Sequence, residues 1–214
     1  MKAPDTPPHD CPLCPRLADF RRANRQKHPD WFNGPVPSFG PLTARLLIAG
    51  LAPGLQGANR TGRPFTGDWA GDLLYATLLK HGLAKGTYDE RADDGLTLVN
   101  CRIVNAVRCV PPQNKPLPLE TKTCRQFLLS ELKAMPSLRG ILALGKVAHD
   151  SVCDALGLRK VLHPFKHGAV YRDAGGFTLI SSYHCSRYNT NTGVLTTQMF
   201  EDVVGKARAL VRGH

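Results

Sequence analysis

The first residues in this chain that suit chemistry are four cysteines spaced for a shared metal centre. Cys11 and Cys14 are separated by two residues, and Cys109 and Cys124 follow much later in the chain. A Cys-x-x-Cys pair can place two thiolates on one centre, and folding would bring the two distant cysteines to it. Zinc and a [4Fe–4S] cluster suit four thiolates equally well. Ordinary buried cysteines are the alternative for Cys109 and Cys124.

The other three cysteines, Cys101, Cys153 and Cys185, have apolar or strand-end neighbours, and we expect them to be packing residues. Seven cysteines make an odd number, which argues against a fully paired disulfide framework. We find neither the apolar run of a signal peptide nor a stretch of about 18 apolar residues. These observations predict a cytoplasmic protein, nucleoid-associated if bacterial, with free thiols and no membrane association.

The chain is strongly basic, with 28 Lys and Arg against 17 Asp and Glu and a net charge of +11. Such a surplus favours binding to phosphate backbones through counterion release and steering. Charge alone is equally compatible with a basic protein that has no nucleic-acid partner. The hydrophobic fraction of 42% is enough for a core, which excludes a disordered chain.

A Gly-rich loop follows a short apolar run, and its glycines allow the backbone to approach a ligand closely. The loop contains Gly50-Leu-Ala-Pro-Gly54 and Gly62-Arg-Pro-Phe-Thr-Gly67. It matches neither a Walker loop nor a dinucleotide fingerprint. Phe65 offers a flat face for a base, with a core position as the alternative. Asp68 is a preferred N-cap for the next helix, and as an anion facing a cleft it would also orient water or stabilise a cation.

A second polar loop, residues 184–193, follows another apolar run. A histidine at a strand end, beside Ser, Asn and Thr, suits donation to a developing oxyanion, as His184 would do. A lone histidine is more often structural, so its position alone does not decide between the two roles. Arg187 and its small polar neighbours suit phosphate contacts.

Apolar runs that alternate with helical patterns predict an α/β fold, a three-layer α/β/α sandwich around a mostly parallel, four-stranded sheet. The predicted strands are 45–49, 96–104, 140–144 and 177–182, with a possible hairpin before the last. The predicted helices are 17–26, 69–79, 120–135, 145–156 and 195–211. Ligands of such sheets bind beyond the carboxyl ends of the strands, so the loops 50–67, 105–118 and 184–193 are expected to meet there.

Together these segments resemble the iron–sulfur branch of the uracil-DNA glycosylase superfamily, and within it the type B, or family 5, enzymes. Four motifs carry the resemblance: Gly50-Leu-Ala-Pro-Gly54, Arg60-Thr-Gly-Arg-Pro-Phe-Thr-Gly-Asp68, Asn105-Ala-Val-Arg-Cys109 and His184-Cys-Ser-Arg-Tyr-Asn189. Family 4 enzymes have Glu at the second position of the first motif, where this chain has Leu51. Cys185 stands where relatives often have Pro or an apolar residue, a change expected to affect packing.

The resemblance implies a DNA repair enzyme that flips a damaged base and hydrolyses its N-glycosidic bond, leaving an abasic site. Uracil in DNA is the implied substrate, with hypoxanthine, xanthine and ethenocytosine as further ones, and we expect a monomer. A structural [4Fe–4S] cluster on Cys11, Cys14, Cys109 and Cys124 is implied. It would hold residues 1–43 as an N-terminal extension of a single domain spanning 1–214.

The resemblance also implies a role for each candidate site residue. His184 would donate to the uracil oxygen that gains charge, and Asp68 would position water or stabilise the sugar cation. Base recognition falls to Phe65, Asn105, Gly50, Ala52 and Gly54. DNA binding falls to Arg60, Arg63, Ser186, Arg187, Tyr188 and Asn189. A non-catalytic iron–sulfur protein that binds nucleic acid is the alternative. A small-nucleotide hydrolase is a weaker alternative, because it would need a metal–carboxylate cluster and the sequence offers none.

Overall fold

A computed structural model of the chain describes residues 3–211, apart from the side chain of Asp173. The helices in this range are α1 (Pro15–Lys27), α2 (Ala58–Thr61), α3 (Trp69–Lys80), α4 (Pro118–Ala134), α5 (Lys146–Ala155), α6 (Arg187–Asn191) and α7 (Thr197–Val211). The strands are β1 (Leu46–Gly50), β2 (Ala84–Lys85), β3 (Thr97–Leu98), β4 (Cys101–Asn105), β5 (Gly140–Leu144), β6 (Val170–Ala174) and β7 (Phe177–Ser182). The five longer helices lie where the sequence predicts them, within a few residues.

The central sheet has the strand order β4-β1-β5-β7-β6. The first four strands run parallel, and β6 pairs antiparallel with β7 at one edge. The predicted mostly parallel sheet is confirmed, but it has five strands rather than four, because the possible hairpin contributes β6. The edge strand exposes Val170 and Arg172, so it lacks the continuous apolar run of a strand buried on both faces.

Helices cover both faces of this sheet, which gives the three predicted layers. Side chains of successive strand residues point to opposite faces. Leu46 and Ile48 of β1 therefore belong to one buried cluster, with residues of α3 and α7. Leu47 and Ala49 belong to a second buried cluster, with residues of α4 and α5.

The predicted strand 96–104 is two strands, separated by Asn100. Asn100 has a φ of 54°, a left-handed conformation that interrupts extended backbone. Its side chain accepts from Arg45 N (2.9 Å) and donates to Val211 O (3.0 Å), so the amide stabilises the break. Before the break, β3 pairs with β2 in a small antiparallel sheet, and after it β4 joins the central sheet.

Among the helices of residues 3–211, none combines the length and the apolar character that crossing a bilayer requires.

Candidate active site and cysteine pocket

A cavity of about 690 Å³ opens at the carboxyl edge of the parallel strands. Loops that follow β1, β4 and β7 line it, which is the place that the topology predicts. Phe65, Asp68, Asn105 and His184 all contribute to its wall, although they come from three separate segments at the ends of β1, β4 and β7. The structure thus brings these four candidate residues together.

Asn105 is the last residue of β4 and lies opposite Gly50, the last residue of β1. Two further hydrogen bonds continue this pairing into the loops, from Ala106 N to Gly50 O (2.9 Å) and from Val107 N to Leu51 O (3.0 Å). Within residues 3–211, the buried Asn105 Oδ1 has no hydrogen-bond partner. An unpaired buried oxygen costs about 1–3 kcal/mol, so it is a ready acceptor for a ligand N–H.

Gly50 provides the space in which Asn105 and Phe65 meet. A Cβ at this position would lie 2.5 Å from Asn105 Oδ1 and 2.6 Å from Phe65 Cζ. The Phe65 ring is largely buried and lies near the His184 ring, with centroids 5.9 Å apart and an angle of 25° between the planes. The site therefore places an aromatic face, an amide oxygen and an imidazole around one small volume.

Asp68 is the N-cap of α3, and its Oδ1 accepts from Gly71 N at 3.1 Å. The other oxygen, Oδ2, faces the Gly-rich loop, where a Cβ on Gly54 would lie 2.7 Å from it and a Cβ on Gly57 2.4 Å. Burial raises the pKa of Asp68, while the backbone N–H groups of Gly71 and Ala70 act against the rise. These N–H groups, at a helix N-terminus, favour the carboxylate at neutral pH.

His184 follows β7 and packs against Gly145, at the end of β5. Gly145 has a φ of +92°, and a Cβ there would lie 3.3 Å from the His184 Cβ. Burial lowers the pKa of His184 to about 4. At neutral pH the imidazole is therefore uncharged and carries one N–H donor.

The segment after His184 forms the short helix α6, which the sequence predicts only as a loop. Its N-cap is Ser186, whose hydroxyl accepts from Asn189 N, and Asn189 Nδ2 donates to His184 O at 2.8 Å. These two predicted DNA-binding residues thus hold the shape of the loop. Arg187 and Tyr188 are exposed, with Tyr188 73% accessible.

Of the two arginines predicted to bind DNA from the Gly-rich loop, Arg60 is exposed and Arg63 is not. Arg63 is buried, and two of its nitrogens donate to the two carboxylate oxygens of Asp94 at 2.7 Å and 2.6 Å. A DNA contact for Arg63 is therefore wrong, because its guanidinium is already paired inside the protein. Arg60 Nε donates to Gln56 O (2.8 Å), which leaves its charge at the surface.

The four cysteines of the predicted metal centre line one small pocket, separate from the cavity. Cys11 and Cys14 lie just before α1, Cys109 lies in the loop after β4, and Cys124 lies in α4. All four are free thiols. Within residues 3–211, no three His, Cys, Asp or Glu side chains lie close enough together to hold one metal ion.

Two N–H groups point at sulfurs of this pocket. Arg21 Nη1 donates to Cys109 Sγ (3.5 Å), and Arg108 N donates to Cys124 Sγ (3.4 Å). Burial nevertheless raises the pKa of Cys109 to about 11 and that of Cys124 to about 12. Thiolates here therefore need a cationic group in addition to these hydrogen bonds.

Arg108 connects the cysteine pocket to the rest of the fold. Its guanidinium is buried and donates to Glu131 Oε1 at 2.9 Å and to Val36 O at 3.2 Å. Glu131 is also paired with Arg102 of β4 at 2.8 Å. Ala52, which lines the cavity, also packs against the apolar cluster that contains Cys109 and Cys124. The cysteine pocket and the cavity therefore share a wall.

The sequence reasoning missed Trp69 as part of the site. Trp69 lines the cavity, is 41% exposed, and donates from Nε1 to Thr190 Oγ1 at 3.0 Å. The Arg187 guanidinium lies 5.5 Å from its ring centroid. The sequence pattern indicated only that Trp69 begins a helix; its position directly after Asp68, in the first turn of α3, was the signal that it lies at the site.

Comparison with known proteins gives consistent results. The family model described as "Uracil DNA glycosylase superfamily" matches residues 37–208. A type-5 uracil-DNA glycosylase of Thermus thermophilus is 46% identical over 207 residues, covering 94% of this chain and 93% of the relative. That of Pyrobaculum aerophilum is 38% identical over 204 residues, covering 94% and 88%. A type-4 uracil-DNA glycosylase of Thermotoga maritima is 30% identical over 175 residues, covering 81% of each chain.

Proposed function

Since the chain belongs to the uracil-DNA glycosylase superfamily, we propose that it removes uracil from DNA by hydrolysing the N-glycosidic bond, leaving an abasic site. One observation carries this proposal: the His184 imidazole, the Asp68 carboxyl and Asn105 Oδ1, which has no hydrogen-bond partner within residues 3–211, line the same cavity. Burial lowers the pKa of His184 to about 4, which favours an uncharged imidazole at neutral pH. Hydrolysis of this bond needs a donor for the departing base, an anion for the sugar or water, and a group that reads the base.

Base recognition is assigned to Phe65 and Asn105. A uracil that leaves the duplex would stack on the Phe65 ring and present its N3–H to Asn105 Oδ1. The desolvation cost of the unpaired oxygen favours a base with an N–H at this place over one with a lone pair there. Gly50 allows both contacts, because any side chain there would occupy the volume in which they meet.

Charge develops on the base as the bond to the sugar stretches. An uncharged His184 would donate its N–H to the uracil oxygen that takes up this charge, without transferring a full proton. Such a preorganised donor contributes about 3–4 kcal/mol of transition-state stabilisation. The backbone at Ala52 and Gly54, which also lines the cavity, would assist at the same base.

The sugar becomes cation-like in the same step, and Asp68 is the carboxylate that faces it. Its Oδ1 is held by the N-terminus of α3, whereas Oδ2 is directed toward Gly54 and Gly57. We assign Oδ2 to the attacking water or to the sugar cation. Leu51 has no group for this task, although it lines the same cavity.

DNA would lie across the cavity mouth, with the exposed Arg60 and Arg187 near its phosphates. Tyr188 is the most exposed aromatic side chain of the α6 segment, and we propose that it or Arg187 fills the gap left by the flipped base. The net charge of +11 favours the encounter. We propose hypoxanthine and xanthine, whose six-membered rings carry an N–H for Asn105 Oδ1, as further substrates; ethenocytosine, which lacks that N–H, would enter the same cavity without this hydrogen bond.

The donor set fits a [4Fe–4S] cluster on Cys11, Cys14, Cys109 and Cys124. Four thiols line one pocket without gathering on a single ion, and in such a cluster each cysteine binds a different iron. Bound there, the cluster would supply structure alone. It would tie the N-terminal extension, residues 1–43, to the loop that begins at Asn105, and the hydrolysis is left to the residues of the cavity.

The proposal is tested with labelled oligonucleotides that contain one uracil, followed by alkaline cleavage of abasic sites. The intact protein should convert uracil DNA to abasic DNA, and His184→Ala should lower kcat by on the order of 100-fold or more. His163→Ala is the matched control, because that histidine lies on the loop before β6, outside the cavity. DNA binding should be similar in all three proteins.

The enzyme proposal would be overturned if protein with its full iron content bound uracil DNA but excised no uracil. That result would favour a non-catalytic nucleic-acid-binding protein. Oligonucleotides with hypoxanthine, xanthine or ethenocytosine test the wider substrate range separately. Excision of uracil alone would refute the wider range and leave the main proposal standing.

A further inference from the structure

The backbone of Phe65 is strained. Its φ is 53°, in the left-handed region that bulky residues rarely adopt. A residue stays in such a conformation only when its surroundings determine it more strongly than its own preference. The groups that hold this loop therefore decide where the aromatic face of the cavity lies.

Two tyrosines hold the loop at its backbone. Tyr75 O–H donates to Pro64 O at 2.6 Å. The Tyr88 hydroxyl accepts from Gly67 N at 3.2 Å and donates to Phe65 O at 3.4 Å. The carbonyls and the amide on both sides of the Phe65 ring are thus anchored to the fold.

A buried ion pair stands behind these tyrosines. Arg63 donates to both oxygens of Asp94, and its Nε donates to Thr66 Oγ1 at 2.7 Å. The guanidinium carbon lies 5.3 Å from the Tyr75 ring centroid and 5.8 Å from that of Tyr88. Arg63 precedes Phe65 in the chain and Thr66 follows it, so the bonds of Arg63 to Asp94 and to Thr66 hold the loop on both sides of Phe65.

Asp94 belongs to a segment with no part in the cavity wall. Its side chain has 0% accessible surface, and it also accepts from Asp89 N (2.9 Å) and Leu96 N (3.0 Å). The bond with Arg63 holds the pKa of this carboxyl well below its usual range. The Asp94 carboxylate therefore bonds to the Phe65 loop through Arg63 and to two backbone N–H groups of its own turn.

We propose that Asp94, through Arg63, is a positioning residue that sets the place of the Phe65 ring for base binding. The inference rests on the proposed function, because it matters only if Phe65 stacks on the base. Asp94 touches neither the base nor the reacting atoms. Its effect on the reaction is expected to run through Phe65 alone.

The test is a double-mutant cycle in uracil excision with Asp94→Asn and Phe65→Ala. Asp94→Asn removes the charge with little change in shape. It should lower kcat/KM by on the order of 10- to 100-fold, as a misplaced contact does. In the Phe65→Ala background the same change should have no further effect, because the ring through which it acts is absent. Asp93→Asn is the matched control, at an adjacent carboxylate with an 80% exposed side chain, and should match the unmodified protein.

Additive losses from the two substitutions, or full activity of a folded Asp94→Asn protein, would overturn the inference. No effect of Phe65→Ala itself would instead refute the proposed role of Phe65 in base binding. If Asp94→Asn does not fold, Thr66→Val serves as the second variant, since it removes the hydrogen bond from Arg63 Nε, together with the one from Thr66 Oγ1 to Pro64 O, and keeps the ion pair. The decrease in kcat/KM caused by Thr66→Val should likewise vanish in the Phe65→Ala background, and a decrease that persists there would refute the inference.

Discussion

Gly50→Ala is the substitution that probes the geometry of the cavity most directly. The added methyl carbon would lie 2.5 Å from Asn105 Oδ1 and 2.6 Å from Phe65 Cζ. Carbon atoms in contact prefer a separation of about 3.5–4.0 Å, so the ring and the amide must retreat by about 1 Å. Neither can move freely, because Asn105 ends a buried strand and Phe65 lies in a braced loop.

A displacement of about 1 Å at reacting groups costs on the order of 100-fold in rate. Overpacking of this kind also costs about 1–3 kcal/mol of stability, which is modest beside the loss of activity. Gly50→Ala should therefore lower the single-turnover rate of uracil excision by about two orders of magnitude. The protein should stay folded and bind DNA normally, because the surface is unchanged.

Gly140→Ala is the control for a glycine in a buried strand. Gly140 is the first residue of β5 and pairs with Leu46. It lies at the amino ends of the parallel strands, whereas the cavity lies at their carboxyl ends. A Cβ there would lie 3.1 Å from the end of the Leu210 side chain, a tighter contact than usual, and at ordinary contact distance from Leu46 Cδ1 (3.6 Å) and Thr178 O (3.7 Å). This variant should excise uracil at the normal rate. Normal excision by Gly50→Ala as well would refute the close contact on which the reasoning depends.

Three further predictions concern charge, stability and metal. The pH profile of kcat/KM should fall on the acid side and stay level through neutral pH, because protonation removes both the carboxylate of Asp68, whose pKa burial raises, and the uncharged imidazole of His184, whose pKa is about 4. An undiminished kcat/KM well below the pKa of His184 would contradict this prediction. Glu131→Gln should lower the free energy of unfolding in urea by about 3–5 kcal/mol, since the buried Arg108 and the partly buried Arg102 lose their charged partner, and an unchanged free energy would contradict this prediction. Cys124→Ser should reduce the iron bound per chain whereas Cys153→Ser should not, and equal iron contents would count against the cluster.

The parts of the site that sequence revealed are those encoded locally. A continuous apolar run followed by glycine is enough to predict β1, and the strand ends then predict which loops meet. Asn105 and His184 stand at such ends, so their approach follows from the parallel topology. Asp68 was identifiable as a helix cap from its neighbours alone.

Other parts depend on partners far away in sequence. An arginine in a Gly-rich loop suggests a phosphate contact, and only the folded chain shows that Arg63 meets Asp94. The break at Asn100 is stabilised by contacts with Arg45 and Val211, which are far apart from each other in the sequence. The edge strand β6 was uncertain because its exposed side chains give it no apolar run.

The position of Trp69 allows its intrinsic fluorescence to report on the cavity. The chain contains two tryptophans. Trp31 stacks on His28 after α1, with ring centroids 3.8 Å apart, whereas Trp69 lies at the cavity under the Arg187 guanidinium. Light emitted from Trp69 therefore originates where DNA would arrive, and light from Trp31 originates beside the N-terminal segment. Replacing either tryptophan with phenylalanine would separate two intrinsic fluorescence signals, one from the cavity and one from the N-terminal segment.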